Sequence, residues 1–82
     1  MAGRSGTPGR SVTSRALAVL DAFDAGSPRL TLSEIAERSG TPLTTTHRLL
    51  GELAEWGALV RRQDGRYEIG RKLWDLGLLA PV

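Results

Sequence analysis

The sequence predicts a mainly α-helical domain with one small β-hairpin and the start of a further helix. Three observations support this. Thr31-Leu32-Ser33-Glu34 forms a capping box that opens a short helix. Thr46, Leu49, Leu50, Leu53 and Trp56 then recur at helical spacing as an inward stripe. Asp64-Gly65 lies between two runs of strand-favouring residues and marks a turn.

Residues 1–10 hold three Gly, one Pro, two Arg and two small hydroxyl residues, with nothing to bury. Residues 1–12 are therefore expected to be a flexible basic arm. Arg4, Arg10 and the following Arg15 suit either an arm against nucleic acid or an inert leader. A first helix is predicted from about Thr13 to Ala25, with Leu17, Leu20 and Phe23 as its stripe and Ala16 and Val19 beside them. Gly26 and Pro28 would end it. The second helix starts behind Thr31, turns Leu32, Ile35 and Ala36 inward and stops at Ser39-Gly40. Gly40-Thr41-Pro42 is a tight break. The third helix then has two possible starts: Thr41 as cap with Pro42 at the first helical position, or one residue later. It runs to about Trp56 and stops at Gly57.

Leu59-Val60-Arg61-Arg62 and Arg66-Tyr67-Glu68-Ile69 are the predicted hairpin strands, with Leu59, Tyr67 and Ile69 facing in. Arg71 to Leu79 begins a fourth helix with Leu73, Leu76 and Ala80 on one side and Trp74 nearby. The order helix, short helix, tight turn, helix, hairpin is that of a winged helix-turn-helix: three helices plus a wing over residues 13–70. Residues 71–82 would start a further helix.

Composition narrows the function. With 82 residues this is one domain, burying roughly 60–65% of its unfolded surface. No cysteine is present, so neither disulfides nor thiolate metal sites are available, and the single histidine cannot hold a metal alone. No cofactor is expected. No apolar run nears the roughly 20 residues of a membrane span, and the first residues do not resemble a secretory signal. A soluble cytoplasmic protein is the expectation. An enzyme using His47 as general base is not, because no nucleophile or orienting carboxylate stands at a useful spacing.

The chain has 11 basic and 9 acidic residues, net +2. The net charge is uninformative; its distribution is not. Residues 1–15 carry +3, residues 16–40 −2, residues 41–58 −1 and residues 59–82 +2. Basic ends around an acidic middle can straddle a polyanion.

The third helix carries the functional reading. The leading half of its outward face holds Thr44, Thr45, His47 and Arg48 without a carboxylate; Glu52 and Glu55 fall in the trailing half. Docking by the leading end puts donors and the positive end of the helix dipole near phosphate. Arg48 suits a bidentate contact to guanine, and threonine methyls suit thymine methyls. Gly51 leaves a smooth surface. Arg61, Arg62 and Arg66 on the hairpin suit phosphate or minor-groove contact. Thr31 and Ser33, at the start of the second helix, are weaker phosphate candidates, since capping alone explains them. The alternative is a winged helix used for protein–protein interaction, without DNA affinity. RNA or single-strand binding needs exposed aromatics for stacking. Only four aromatics are present, with Phe23 and Trp56 expected in the core.

The segment Leu32-Ser33-Glu34-Ile35-Ala36 through Ser39-Gly40-Thr41-Pro42-Leu43-Thr44-Thr45-Thr46-His47-Arg48-Leu49-Leu50 resembles the helix-turn-helix of IclR-type transcriptional regulators. Gly65-Arg66-Tyr67-Glu68-Ile69-Gly70 resembles their wing, and Lys72-Leu73-Trp74-Asp75-Leu76-Gly77 their linker helix. The resemblance spans residues 13–80. Gly51 departs from the longer residue usual there and weakens the helix locally. The resemblance implies a dimeric bacterial regulator of transcription that binds double-stranded DNA. A small, often carboxylate-bearing effector would bind a C-terminal domain that these residues do not include, so the chain is expected to be the DNA-binding half. It also implies a homodimer seam at Leu73, Trp74 and Leu76, residues that could equally finish the monomer's core.

Overall fold

The computed structural model describes residues 11–81. Helix α1 spans Val12–Asp21, and its N-cap Ser11 accepts a hydrogen bond from the Ser14 amide at 3.0 Å. It ends four residues before the expected Ala25. Asp24, rather than Gly26, turns the chain: its carboxylate accepts the Ser27 amide at 2.8 Å, and the two backbones pair. The inward stripe is corrected as well. Val19 and Ala22 are buried, whereas Leu17 is 57% exposed. Three residues turn a helix by about 300°, so a row at that spacing drifts off the core.

Helix α2 spans Leu32–Ser39 and opens with the predicted capping box. The Glu34 amide donates to Thr31 Oγ1 at 3.2 Å, and the Thr31 amide donates to Glu34 Oε1 at 2.8 Å. Gly40, at φ 67°, closes the helix in the left-handed region. Its amide donates to the Glu37 carbonyl and that of Thr41 to the Ala36 carbonyl, so the last turn is satisfied before the chain reverses.

Helix α3 spans Leu43–Trp56 with Pro42 in the N-cap position, so the later of the two starts is the one adopted. Thr41 is buried under the turn. Thr46, Leu49 and Leu50 are buried and Leu53 partly so, as the stripe predicts. The Thr46 hydroxyl is satisfied by donating to the Pro42 carbonyl at 2.9 Å. Trp56 departs from expectation: it is 49% exposed. The next inward position after Leu53 is Gly57, and the indole instead lies on the flank with Lys72 Nζ 4.5 Å from its ring centre.

Strands β1 (Leu59–Arg61) and β2 (Tyr67–Ile69) pair antiparallel, with Leu59 opposite Ile69 and Arg61 opposite Tyr67. The Arg62 amide donates to the Arg66 carbonyl at 2.7 Å, leaving Gln63-Asp64-Gly65 as the loop with Gly65 at φ 88°. Leu30 adds a single antiparallel bridge to the two-stranded sheet: its amide donates to the Tyr67 carbonyl at 3.0 Å, and the Tyr67 amide to the Leu30 carbonyl at 2.8 Å. Leu59 and Tyr67 are buried, but Ile69 is 42% exposed, against expectation. It sits at the sheet margin, where it lines an open pocket of about 360 Å³ with Leu20, Phe23 and Pro28.

Helix α4 spans Arg71–Gly77, shorter than the predicted Arg71–Leu79, and buries no residue completely. Its origin is fixed by backbone. The Gly70 amide donates to the Ala58 carbonyl at 2.8 Å, and a Cβ on Gly70 would stand 2.3 Å from the Gly57 carbonyl oxygen. The core joins Val19, Leu30, Ile35, Leu49, Leu50, Leu59 and Tyr67. This is a winged helix-turn-helix: four helices and one hairpin around a single small core.

Two glycines predict opposite outcomes for one substitution. Nothing lies within 4 Å of a Cβ built on Gly51, in the middle of α3. Gly51→Ala should stabilise the fold by about 0.5–1 kcal/mol, raising the thermal midpoint by about 2–8 °C. Gly70→Ala should destabilise it by roughly 2–3 kcal/mol, because backbone must move. Circular dichroism melts of both variants check the pair.

Candidate nucleic-acid interface

Burial of one α3 face determines the other. Thr44, His47, Arg48, Gly51, Glu52 and Glu55 form the exposed stripe, while Thr45 is half-buried on its flank. Of the four predicted α3 residues, three therefore share the open face and the fourth borders it. The leading end is also chemically open. Ser11 caps α1 and Thr31 caps α2, but no side chain caps α3. The Thr46 amide makes the first bond of the helix, to the Pro42 carbonyl at 2.8 Å. The amides ahead of it have no acceptor within the helix. Arg48 Nη1 lies 3.4 Å from Glu52 Oε2, one turn further on, with both side chains more than half exposed.

The hairpin cations divide into two kinds. Glu68 accepts a hydrogen bond from Arg29 at 3.0 Å and pairs with Arg62. These two guanidiniums, Arg62 first, hold its carboxyl below the usual range. Among the described residues Arg61 and Arg66 have no ion-pair partner within 4 Å, and both are exposed. The Arg66 amide donates to Asp64 Oδ1 at 2.9 Å, bracing the loop. At the start of α2 the Thr31 hydroxyl is taken up in the capping box, while Ser33 is exposed. The backbone hydrogen bond from Thr31 leads the causes that lower the Glu34 pKa.

Two arginines were missed by sequence reasoning. Arg29 reaches Glu68 across 39 positions. Arg38 donates to the Ala22 carbonyl at 3.0 Å and to Ser27 Oγ at 2.8 Å, tying the end of α1 to α2. No local pattern announces either, because both partners come from folding. On α4, Leu73 is half-buried, Trp74 is 60% exposed and Leu76 is 48% exposed. Arg4 and Arg10 lie outside the described residues; Arg15 belongs to α1. Among the described residues no helix is long and apolar enough to cross a membrane, and no three His, Asp or Glu side chains cluster as a metal site requires.

Residues 12–63 match the IclR helix-turn-helix domain family. The HTH-type transcriptional regulator KipR of Bacillus subtilis is 37% identical over 65 residues, which are 79% of this chain and 26% of KipR. Among solved structures, an IclR homolog from Microbacterium hydrocarbonoxydans, crystallised with 4-hydroxybenzoate, superposes with a TM-score of 0.82 at 33% identity. The match covers 88% of this chain and 30% of that one. An IclR family transcriptional regulator from Brucella abortus gives a TM-score of 0.78 at 29% identity, over 87% and 28% of the two chains. The chain thus spans between a quarter and a third of the length of these relatives.

The Glu68 cluster predicts an acid-sensitive contribution to stability. A carboxyl whose folded pKa is lowered stabilises the fold above its unfolded value, about 4.3. That contribution disappears as pH falls through the lower folded value. Glu68→Gln should therefore melt below the native chain at about pH 6, with the gap closing at about pH 2.5. Paired thermal melts at both pH values test this; an equal gap at both refutes it.

Proposed function

The chain belongs to the IclR family through its helix-turn-helix domain, and from that premise we propose that it binds duplex DNA sequence-specifically to regulate transcription. One observation carries the proposal: the outer face of the leading turns of α3 is exposed and free of carboxylates, and no side chain caps the helix start. Docked by that end in the major groove, the free amides face phosphate. Arg48 reaches a guanine edge, Thr44 and Thr45 offer methyls to thymine, and His47 lies beside them. Arg61 and Arg66, without ion-pair partners, supply the phosphate contacts of the wing. Arg62 contributes less, because Glu68 already neutralises it. Ser33 is placed for a phosphate at the flank, and Thr31 acts through its cap.

Two protomers would pair through Leu73, Trp74 and Leu76 of α4, whose apolar surface is largely exposed. The matching operator is a pseudo-palindrome with half-sites about 34–36 Å apart or at multiples of that distance. A small-molecule effector would act through sequence that these 82 residues do not include. Such a protein works in the cytoplasm, at the chromosome.

Selection of bound duplexes from a random pool tests the proposal, since it reads affinity, symmetry and half-site spacing together. Arg48→Ala should relax preference at one base position and cost about 1–3 kcal/mol there. Arg61→Ala and Arg66→Ala should weaken all duplexes alike, each flattening the salt dependence by about 0.9 in log–log slope. Failure of the native chain to bind any duplex at low salt would instead support a protein-interaction module.

A further inference from the structure

We infer that Glu52 is a specificity-determining residue: it holds the Arg48 guanidinium against phosphate capture and so penalises docking on the wrong DNA. This deepens the proposed function and rests on it. Arg48 is the single Arg or Lys of α3, and Glu52 and Glu55 are its acids, so the proposed recognition helix is net negative with His47 neutral. A helix selected only for affinity to a polyanion would not be built this way.

Nor does stability account for the pair. Both side chains are more than half exposed, and an exposed ion pair adds little. The order is also the weaker one for a helix, with the cation N-terminal to the acid, and it moves Glu52 toward the negative end of the dipole.

The geometry does account for it. At 3.4 Å the carboxylate holds the guanidinium along the exposed stripe. A phosphate approaching Arg48 must displace one anion while standing beside it. A guanine edge presents O6 and N7, neutral acceptors in a bidentate arrangement, and meets no such repulsion. The acid therefore taxes phosphate contact more than base contact, and discrimination comes from a repulsive element. Glu55 lies two turns from Arg48, about 10 Å along the axis, near the screening length of physiological salt. Its influence on Arg48 is correspondingly weak.

The test compares Glu52→Gln with Glu55→Gln in the full 82-residue chain. Both change net charge equally and keep a side chain of the same shape. Dissociation constants are measured by fluorescence anisotropy against a random-sequence duplex and against the duplex preferred by the native chain, at several salt concentrations. Circular dichroism verifies that each variant is folded. Glu52→Gln should tighten the random duplex by about three- to tenfold. It should also steepen that duplex's salt dependence by up to about 0.9 in log–log slope. Its effect on the preferred duplex should be much smaller, so the specificity ratio falls. Glu55→Gln should leave the ratio nearly unchanged. Parallel shifts on both duplexes, or an equal loss of ratio in Glu55→Gln, overturn the inference while leaving DNA binding intact. A native chain that binds no duplex overturns the functional proposal, and this inference with it.

Discussion

Leu49 and Leu50, both out of water in the middle of α3, determine how that helix is presented. They seat it against α1, α2 and β1 at once, so it cannot rotate without opening the core on three sides. A helix so constrained has one possible outer face. The residues left on it are those that the 3.6-residue repeat requires, and their chemistry is independent of the packing that put them there. Thr46 extends the constraint to the first turns by filling a core position and bonding its hydroxyl to the Pro42 carbonyl. Closely packed backbone holds the other end, where Gly57, Ala58 and Gly70 meet without room for a methyl group.

The electrostatics follow from that geometry. A chain with a net charge of +2 is a weak attractor of polyanions. What matters is which cations are already spent. Arg29 and Arg62 share Glu68, Arg38 clasps the α1–α2 connection, and Arg71 pairs with Asp75. Arg61 and Arg66 stay available near the hairpin loop, and Arg48 is available at the cost of leaving Glu52. Paired guanidiniums hold the frame together, whereas Arg61 and Arg66 stay exposed on the hairpin and make no ion pair among the described residues.

Much of this was legible in the sequence wherever structure is decided within a few residues. The capping box at Thr31, the stops at Gly40 and Gly57, the Asp64-Gly65 turn and the stripe from Thr46 to Leu53 are local, and each appears where its chemistry places it. The misplacements are equally instructive. Leu17 and Ile69 are apolar yet exposed, and Trp56 lies on a flank, because a small core has too few neighbours to cover every large side chain. The early end of α1 turned on one carboxylate, Asp24, catching an amide three residues on. The roles of Arg29, Arg38 and Leu30 were not legible at all, since each partner is distant in sequence. At the candidate site, the exposure of Thr44, His47 and Arg48 followed from the helical repeat, but the half-burial of Thr45 and the pairing of Arg62 emerged only from the assembled fold.

The strand pairing of Leu30 with Tyr67 has a dynamic consequence. Two three-residue strands alone would open and close freely in water. Tyr67 is the loop-side end of β2, so bonding it to the segment just ahead of α2 makes both strands part of the same cooperative unit as the helical core, and only the loop closed by the Arg62–Arg66 bond, Gln63-Asp64-Gly65, lies beyond that rung. Fluctuation should thus be confined to the loop, with both strands held by the core along their length. Under the proposed function, a compliant loop would follow variations in groove width while its anchored strands keep the rest of the domain in place.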